Sequence, residues 1–265
     1  MKKIIVIGAG PAGITAAIYA KRGGLEVTVF NMKIGALGKA KKIDNYYGFP
    51  NGISGQQLMK NGLEQAANLG IEIIEKEVVG LELTTKFNVE TKEGSKEGDA
   101  VIIAMGSPRK VPKVKNIEKY EGRGVSYCAV CDGFFFKGKK VAVLGTGDYA
   151  THEVDVLKPF VESVTMIDDA EAVEGKDVLE KIILKNGKEI EASGLFVAMG
   201  SAGSVDLAKK IGTPTEGNKI ITDEKMATSI PGLYSAGDCN GGLTQVAKAV
   251  HEGAVAGLAA VDYLK

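Results

Sequence analysis

A chain of 265 residues with 35 glycines, three cysteines and no tryptophan suits one large or two modest α/β domains. Its formal net charge is zero, so the broad electrostatic footprint expected of a partner of nucleic acid or anionic membrane is missing. No apolar run approaches the roughly 20 residues of a membrane span, and Ile4 to Ile7 is too short for the core of a signal peptide. The expectation is a soluble cytoplasmic protein with no nucleic-acid or membrane partner.

Ile4 to Ile7 reads as a buried strand, and Gly8-Ala9-Gly10-Pro11-Ala12-Gly13 follows at once. Ile14 to Lys21 reads as a helix and Glu26 to Phe30 as the next strand. This is the strand, glycine turn and helix that the G-x-G-x-x-G dinucleotide pattern requires. The glycines let backbone approach a pyrophosphate, whose charge sits at the helix N-terminus. About 20 residues further on, the pattern expects an acidic ribose partner. Asn31 stands there instead, and its amide can hydrogen-bond a hydroxyl without charge.

From Met32 to Pro50 the chain is irregular, with Gly35, Gly38, Gly48 and the stretch Asn45-Tyr46-Tyr47-Gly48-Phe49-Pro50. A loop this long inside a compact domain is usually functional. Leu58 to Leu69 has helical spacing and ends at Gly70. Ile71 to Ile74, Gly80 to Thr84, Phe87 to Thr91 and Ala100 to Ala104 read as short strands. Small residues close that run at Ala104, Gly106 and Ser107, as where backbone passes close to a ligand. Pro108, Arg109 and Pro112 then mark a linker.

Beyond the linker lies Ser126-Tyr127-Cys128-Ala129-Val130-Cys131-Asp132-Gly133. A Cys-x-x-Cys pair at the opening of a helix gains reactivity, because the helix N-terminus stabilises a thiolate. Asp132 directly after it can give a proton to a leaving thiolate or take one from an attacking thiol. Half a zinc site and a structural staple are the alternatives. Zinc needs four ligands, and elsewhere the chain offers only Cys239, His152 and His251. A staple is unusual in the cytosol, and an intracellular pair beside βαβ pattern reads as redox-active.

Val141 to Leu144 and Gly145-Thr146-Gly147-Asp148-Tyr149-Ala150 repeat the strand and glycine turn, followed by a helical stretch and Val164 to Ile167. Two βαβ openings argue for two domains. The second copy is damaged, however. Between Asp168-Asp169 and the strand Val178 to Leu184 lie only Ala170 to Asp177, too few for a crossover of a dozen or more residues. Lys185-Asn186-Gly187-Lys188 reads as a hairpin turn, and Leu195 to Met199 as a strand closed by Gly200-Ser201. After a hinge near Thr222 to Thr228, the apolar strand within Ile230 to Asp238 ends in Gly237-Asp238, placing a carboxylate at a ligand-bearing sheet edge. Thr244 to Leu264 reads as a buried core helix. Cys239 reads as a small buried hydrophobe, His152 and His251 as packed or capped, and Phe134-Phe135-Phe136 as core packing in preference to a docking surface. Lys33, Lys39, Lys41 and Lys42 form a solvated face or meet an acidic partner.

Taken together, GAGPAG at 8–13, NYYGFP at 45–50, AMGS at 104–107, SYCAVCDG at 126–133 and PGLYSAGD at 231–238 resemble the low-molecular-weight flavin thioredoxin reductases. The resemblance runs through nearly the whole chain in the family's order, and the helix start at Thr244-Gln245 matches as well. It implies an α/β fold of two Rossmann-like three-layer domains of the FAD-dependent disulfide oxidoreductase type, the second one shortened. Residues 1–112 and 225–265 would form a discontinuous FAD domain, and 113–224 a redox-disulfide domain inserted on linkers. Carried over by position, FAD would contact Gly8, Gly10, Pro11, Ala12, Gly13, Asn31, Gly35, Leu37, Asn45, Val78, Ala104, Gly106, Gly237, Asp238, Gln245 and Val246. Cys131 would face the flavin, Cys128 would attack thioredoxin, and Asp132 would act as acid and base. A homodimer is implied too.

Members that use NADPH carry a His-Arg-Arg motif after the second strand of the second unit. Asp168-Asp169 stand there in this chain and would repel a 2′-phosphate. The adenosine-side strand and helix are missing, and Tyr149 occupies a position of the glycine turn that is usually small. In these respects the chain looks more like the ferredoxin-dependent flavin thioredoxin reductases, so ferredoxin is the expected electron donor. NADH, with Asp168 on an unphosphorylated ribose, and a non-enzymatic flavin redox sensor are the competing readings.

Overall fold

The computed structural model describes residues 1–32, 35–106, 112–200 and 202–265. Expectations placed on Lys33, Ser107, Pro108, Arg109 and Ser201 fall outside those residues. The chain divides into two compact units, Met1–Arg109 with Gly203–Lys265, and Lys110–Ala202.

In the first unit, the apolar run becomes strand β1 (Lys3–Ile7), followed by helix α1 (Pro11–Arg22) and strand β2 (Glu26–Phe30). Helix α1 starts at Pro11, ahead of the apolar spacing, because proline is tolerated at a first helical position that has no partner for an N–H. Helix α2 (Gly55–Asn68) likewise starts before Leu58. Its start is set by Ser54, whose hydroxyl accepts the Gln57 N–H at 3.2 Å. Strand β3 (Glu72–Ile74) follows, then the antiparallel meander β4 (Gly80–Leu83), β5 (Phe87–Thr91) and β6 (Gly94–Gly98). Strand β6 has no β-branched residue, and its strand state comes from pairing with β5 along its whole length. Strand β7 (Ala100–Ile103) returns beside β1.

In the second unit, β8 (Val125–Ser126) leads into the one-turn helix α3 (Ala129–Asp132). Strand β9 (Lys140–Leu144), helix α4 (Asp148–Leu157) and strand β10 (Ser163–Ile167) repeat the opening of the first unit. Next come β11 (Ala172–Glu174), β12 (Lys181–Ile183) and β13 (Glu189–Glu191), all antiparallel, and then β14 (Gly194–Val197). The hairpin at 185–188 forms as expected, with the Lys188 N–H donating to Asn186 Oδ1 at 2.9 Å. Helix α5 (Ser204–Lys210), the hairpin β15 (Thr215–Glu216) and β16 (Lys219–Ile220), strand β17 (Leu233–Ser235) and helix α6 (Val246–Leu264) complete the first unit.

That last stretch corrects the expected second boundary, which falls at 202/203 and not at 224/225. Helix α5 had no expectation attached to it, and it packs on β4. Lys210 Nζ donates to the Val79 carbonyl at 2.9 Å, a link across 131 positions of sequence that local pattern cannot carry.

The first unit's main sheet runs β17-β7-β1-β2-β3, parallel throughout, so all five C-terminal ends share one edge. Helix α6 lies so close to α1 that a side chain at Gly253 would clash with the Ala12 carbonyl. Glycine there lets two backbones meet. The core between them holds Ile4, Val6, Ile102, Ala256 and Ala260, all 1% exposed or less.

The second sheet is also parallel, β10-β9-β14-β8. Here the two units part company. In the first, α2 carries the chain to β3, beyond β2; in the second, β10 is the sheet edge among the described residues, and the β11–β13 meander follows instead. The eight residues Ala170 to Asp177 were too short for a parallel crossover, and the antiparallel meander is what fits that length. No helix among the described residues is long and apolar enough to cross a membrane.

Candidate dinucleotide cradle and redox disulfide

A parallel sheet holds ligands at the C-terminal ends of its strands, and most of the expected cofactor residues of the first unit lie there. Gly8 to Gly13 follow β1, Asn31 follows β2, Ala104 and Gly106 follow β7, and Gly237 and Asp238 follow β17. Gly13 packs helix on strand so tightly that a Cβ would clash with the Gly8 carbonyl oxygen. At Gly10 the reverse holds: a Cβ would meet nothing within 4 Å. Gly10 caps α1 without a side-chain bond, and the first turn carries no acidic residue. Open space before unshielded first-turn amides fits a pyrophosphate. The residues present therefore fit the pyrophosphate of a dinucleotide such as FAD.

Asn45 and Gln245, 200 positions apart, meet through Asn45 Nδ2 and Gln245 Oε1 at 2.9 Å, at the start of α6 beside Val246. Gly35 and Leu37 border the turn before α2, where the Leu37 carbonyl lies hard against Gly55. Val78 is buried in the segment between the end of β3 and the start of β4. Cys239 is fully buried and its thiol donates to the Gly106 carbonyl at 3.3 Å. Burial pushes that thiol's pKa up.

A pair that the sequence reading passed over organises the Asp238 turn. Lys248 Nζ donates to the Gly237 and Gly241 carbonyls, both at 2.7 Å, and sits 3.0 Å from Glu252 Oε2. The same Glu252 oxygen accepts the Gly237 N–H at 2.7 Å. The i,i+4 spacing was visible in the sequence, but not the turn it clasps. Lys248→Ala is expected to cost about 2 kcal/mol, since charge-assisted bonds to the turn are lost. Urea unfolding checks this, and an unchanged midpoint would show that the clasp is slack.

In the second unit, Cys128 and Cys131 form a disulfide, with α-carbons 5.3 Å apart. Cys128 is 3% exposed and Cys131 is exposed. Cys128 caps α3, its sulfur accepting the Cys131 N–H at 3.2 Å. Ser126 Oγ donates to Asp132 Oδ2 at 2.6 Å and accepts the Cys128 N–H at 3.1 Å, so Asp132 is fixed beside the pair. The Ala129 N–H donates to the buried Glu153 Oε2 at 2.7 Å. The expectation for the phenylalanines is corrected: Phe136 packs edge-on to Phe196 at 5.1 Å, but Phe134 and Phe135 are 66% and 72% exposed. Among the described residues no group of three or more His, Cys, Asp or Glu is placed to hold a metal.

The second glycine turn differs from the first in charge. Gly147 also faces open space, but Asp148 stands in the first turn of α4. Tyr149, the large residue at a position of the turn that is usually small, is buried within the second unit. Asp168 is exposed at the end of β10, and Asp169 Oδ1 accepts the Lys185 N–H at 3.0 Å.

A glycine-turn unit joined to a second such unit that carries a Cys-x-x-Cys disulfide defines a dinucleotide-dependent disulfide oxidoreductase. The chain belongs to the pyridine nucleotide-disulphide oxidoreductase family, whose model matches residues 2–174 and 166–253. It is 36% identical to a thioredoxin reductase of Aquifex aeolicus over 276 residues, covering 89% of this chain and 85% of the relative. The crystal structure of the atypical thioredoxin reductase TRi from Desulfovibrio vulgaris Hildenborough is similar with a TM-score of 0.94 at 35% identity, covering 100% of this chain and 98% of that one. A ferredoxin-flavin thioredoxin reductase from Clostridium acetobutylicum is similar with a TM-score of 0.75 at 34% identity, covering 100% and 99%.

Proposed function

We propose that this chain reduces thioredoxin through Cys128 and Cys131, with FAD as its cofactor and reduced ferredoxin as the electron donor. The observation that carries the donor assignment is the contrast between the two glycine turns. The first has an open cradle, no acid in its helix start and a complete five-stranded sheet. The second has Asp148 at its helix start and, among the described residues, ends at β10, without the strand that would border an adenosine. An anionic pyrophosphate at α4 would meet a carboxylate where α1 offers only amides. The likeness to the clostridial ferredoxin-flavin enzyme supports the same reading.

When bound, FAD would supply the electron pair that opens the disulfide. Within the chain, the exposed Cys131 is the sulfur open to electron entry, and Cys128 is the leaving sulfur. The Cys131 N–H at 3.2 Å is in place to steady negative charge on Cys128. Asp132, held by Ser126, moves the proton between the pair and the partner. Cys128 then attacks the partner disulfide; that sulfur–sulfur bond breaks, and closure of Cys128 onto Cys131 releases reduced thioredoxin. A ferredoxin near −400 mV and a thioredoxin near −270 mV leave about 130 mV, roughly 6 kcal/mol for two electrons. Lys39, Lys41 and Lys42 are exposed and suit an acidic donor. The working form is proposed to be a homodimer.

Anaerobic mixing of the FAD-loaded protein with each donor tests the reading. Reduced low-potential ferredoxin should bleach the flavin rapidly, in a reaction slowed by salt, while NADH and NADPH leave it oxidised. Rapid bleaching by either nicotinamide would instead favour the second reading, NADH on Asp168, which that residue's exposed place at the end of β10 supports.

A further inference from the structure

Helix α4 carries a second carboxylate, Glu153, that the steps above do not use. It is 1% exposed, and its Oε2 accepts the Ala129 N–H, the first amide of the Cys-x-x-Cys helix, at 2.7 Å. That amide is one peptide bond from the α-carbon of Cys128, the residue that caps the helix with its sulfur. A buried carboxylate at this place does two things. It fixes the orientation of the helix start, and it places a carboxylate on the amide that follows Cys128, the residue whose sulfur caps the same helix start. The Cys131 N–H favours a thiolate on Cys128, and Glu153 opposes it.

We propose that Glu153 is a positioning residue for the redox pair, keeping the reduced Cys128 as a thiol and so making the dithiol a stronger electron donor. The step is the two-electron, two-proton exchange of a dithiol for a disulfide, in which both cysteine protons leave with the electrons. Charge that disfavours the thiolate disfavours the reduced pair relative to the neutral disulfide. The proposal rests on the redox reading of Cys128–Cys131. The other titratable groups on the elements packed around Glu153 are Cys131 and Asp132 on α3, Asp148, the buried Tyr149, His152 and Asp155 on α4, and Lys140 on β9. Asp155 pairs with Lys158 at 2.8 Å, Lys140 with Glu191 at 3.2 Å, and Asp132 with Ser126. Strand β10 carries no charged or titratable residue.

Equilibrating the full-length protein with oxidised and reduced dithiothreitol, and counting thiols by alkylation and mass, reads the pair without any donor or thioredoxin. Glu153→Gln keeps an acceptor for the Ala129 N–H and removes the charge. Its equilibrium constant should match wild type at low pH and shift about tenfold toward the dithiol, about 30 mV, as pH rises past its thiol's titration. Glu153→Asp, retaining the charge, should stay near wild type. A shift of the same size at every pH marks a purely structural role and overturns the proposal, as does no shift at all. The wild type supplies an arm that needs no variant to fold. Its reduction should take up two protons up to about pH 8, below the ordinary cysteine pKa near 8.5; uptake of only one by pH 7 overturns the proposal as well. A pair that dithiothreitol cannot reduce would instead sink the redox reading itself.

Discussion

Cys131→Ser is expected to accumulate a stable mixed disulfide with thioredoxin, joined through Cys128, while Cys128→Ser accumulates none. Both variants should lose thioredoxin reduction to below about one thousandth of wild type, because a covalent nucleophile has no substitute. The asymmetry follows from the exchange sequence: the attacking sulfur stays bonded to the partner when its resolving neighbour is gone. Exposure makes the test sharp. Cys131 is the open sulfur and Cys128 the covered one, so attack by Cys128 requires that it be uncovered once the disulfide opens. Mass spectrometry of the adduct reads which sulfur is joined. An adduct formed only through Cys131 reverses the two roles and leaves Cys128 as the resolving sulfur.

Gly10→Leu is expected to give a folded, colourless protein. Gly10 has φ −73, which any residue adopts, and open space where a Cβ would go, so the chain itself meets no obstacle. The new side chain would instead fill the approach of the pyrophosphate, and FAD affinity should fall more than a hundredfold, about 3 kcal/mol. Gly13→Leu makes the contrast. Its Cβ would clash with the Gly8 carbonyl, so it should lose folding and flavin together. Flavin absorbance per folded chain separates the two. Stoichiometric FAD in folded Gly10→Leu would remove the cradle from the first glycine turn.

Contiguous features were legible in the sequence and features built across the chain were not. Gly8 to Gly13 and Cys128 to Asp132 are short motifs whose chemistry sits in neighbouring residues, and the structure places them at a helix start and a helix cap. The shortage of residues between Asp169 and β12 was legible for a related reason, since reach is set by residue count. By contrast, Gly94 to Gly98 lacks strand propensity and is held by its pairing with β5. Glu153 reaches the Ala129 amide from 24 positions away, and no spacing along α4 foretells that contact.

The interleaving of the two units also sets a timetable for synthesis. Strand β17 closes the first sheet against β7, and α6 covers α1, yet both are encoded after the whole of the second unit. At roughly 5–20 residues per second, the nascent β7 waits on the order of ten seconds for its partner strand, with the apolar side of α1 uncovered. The second unit is one unbroken stretch and leaves the ribosome with every strand of its sheet already made. The unit bearing the cysteines is therefore expected to mature first, and the flavin cradle only as the last helix emerges.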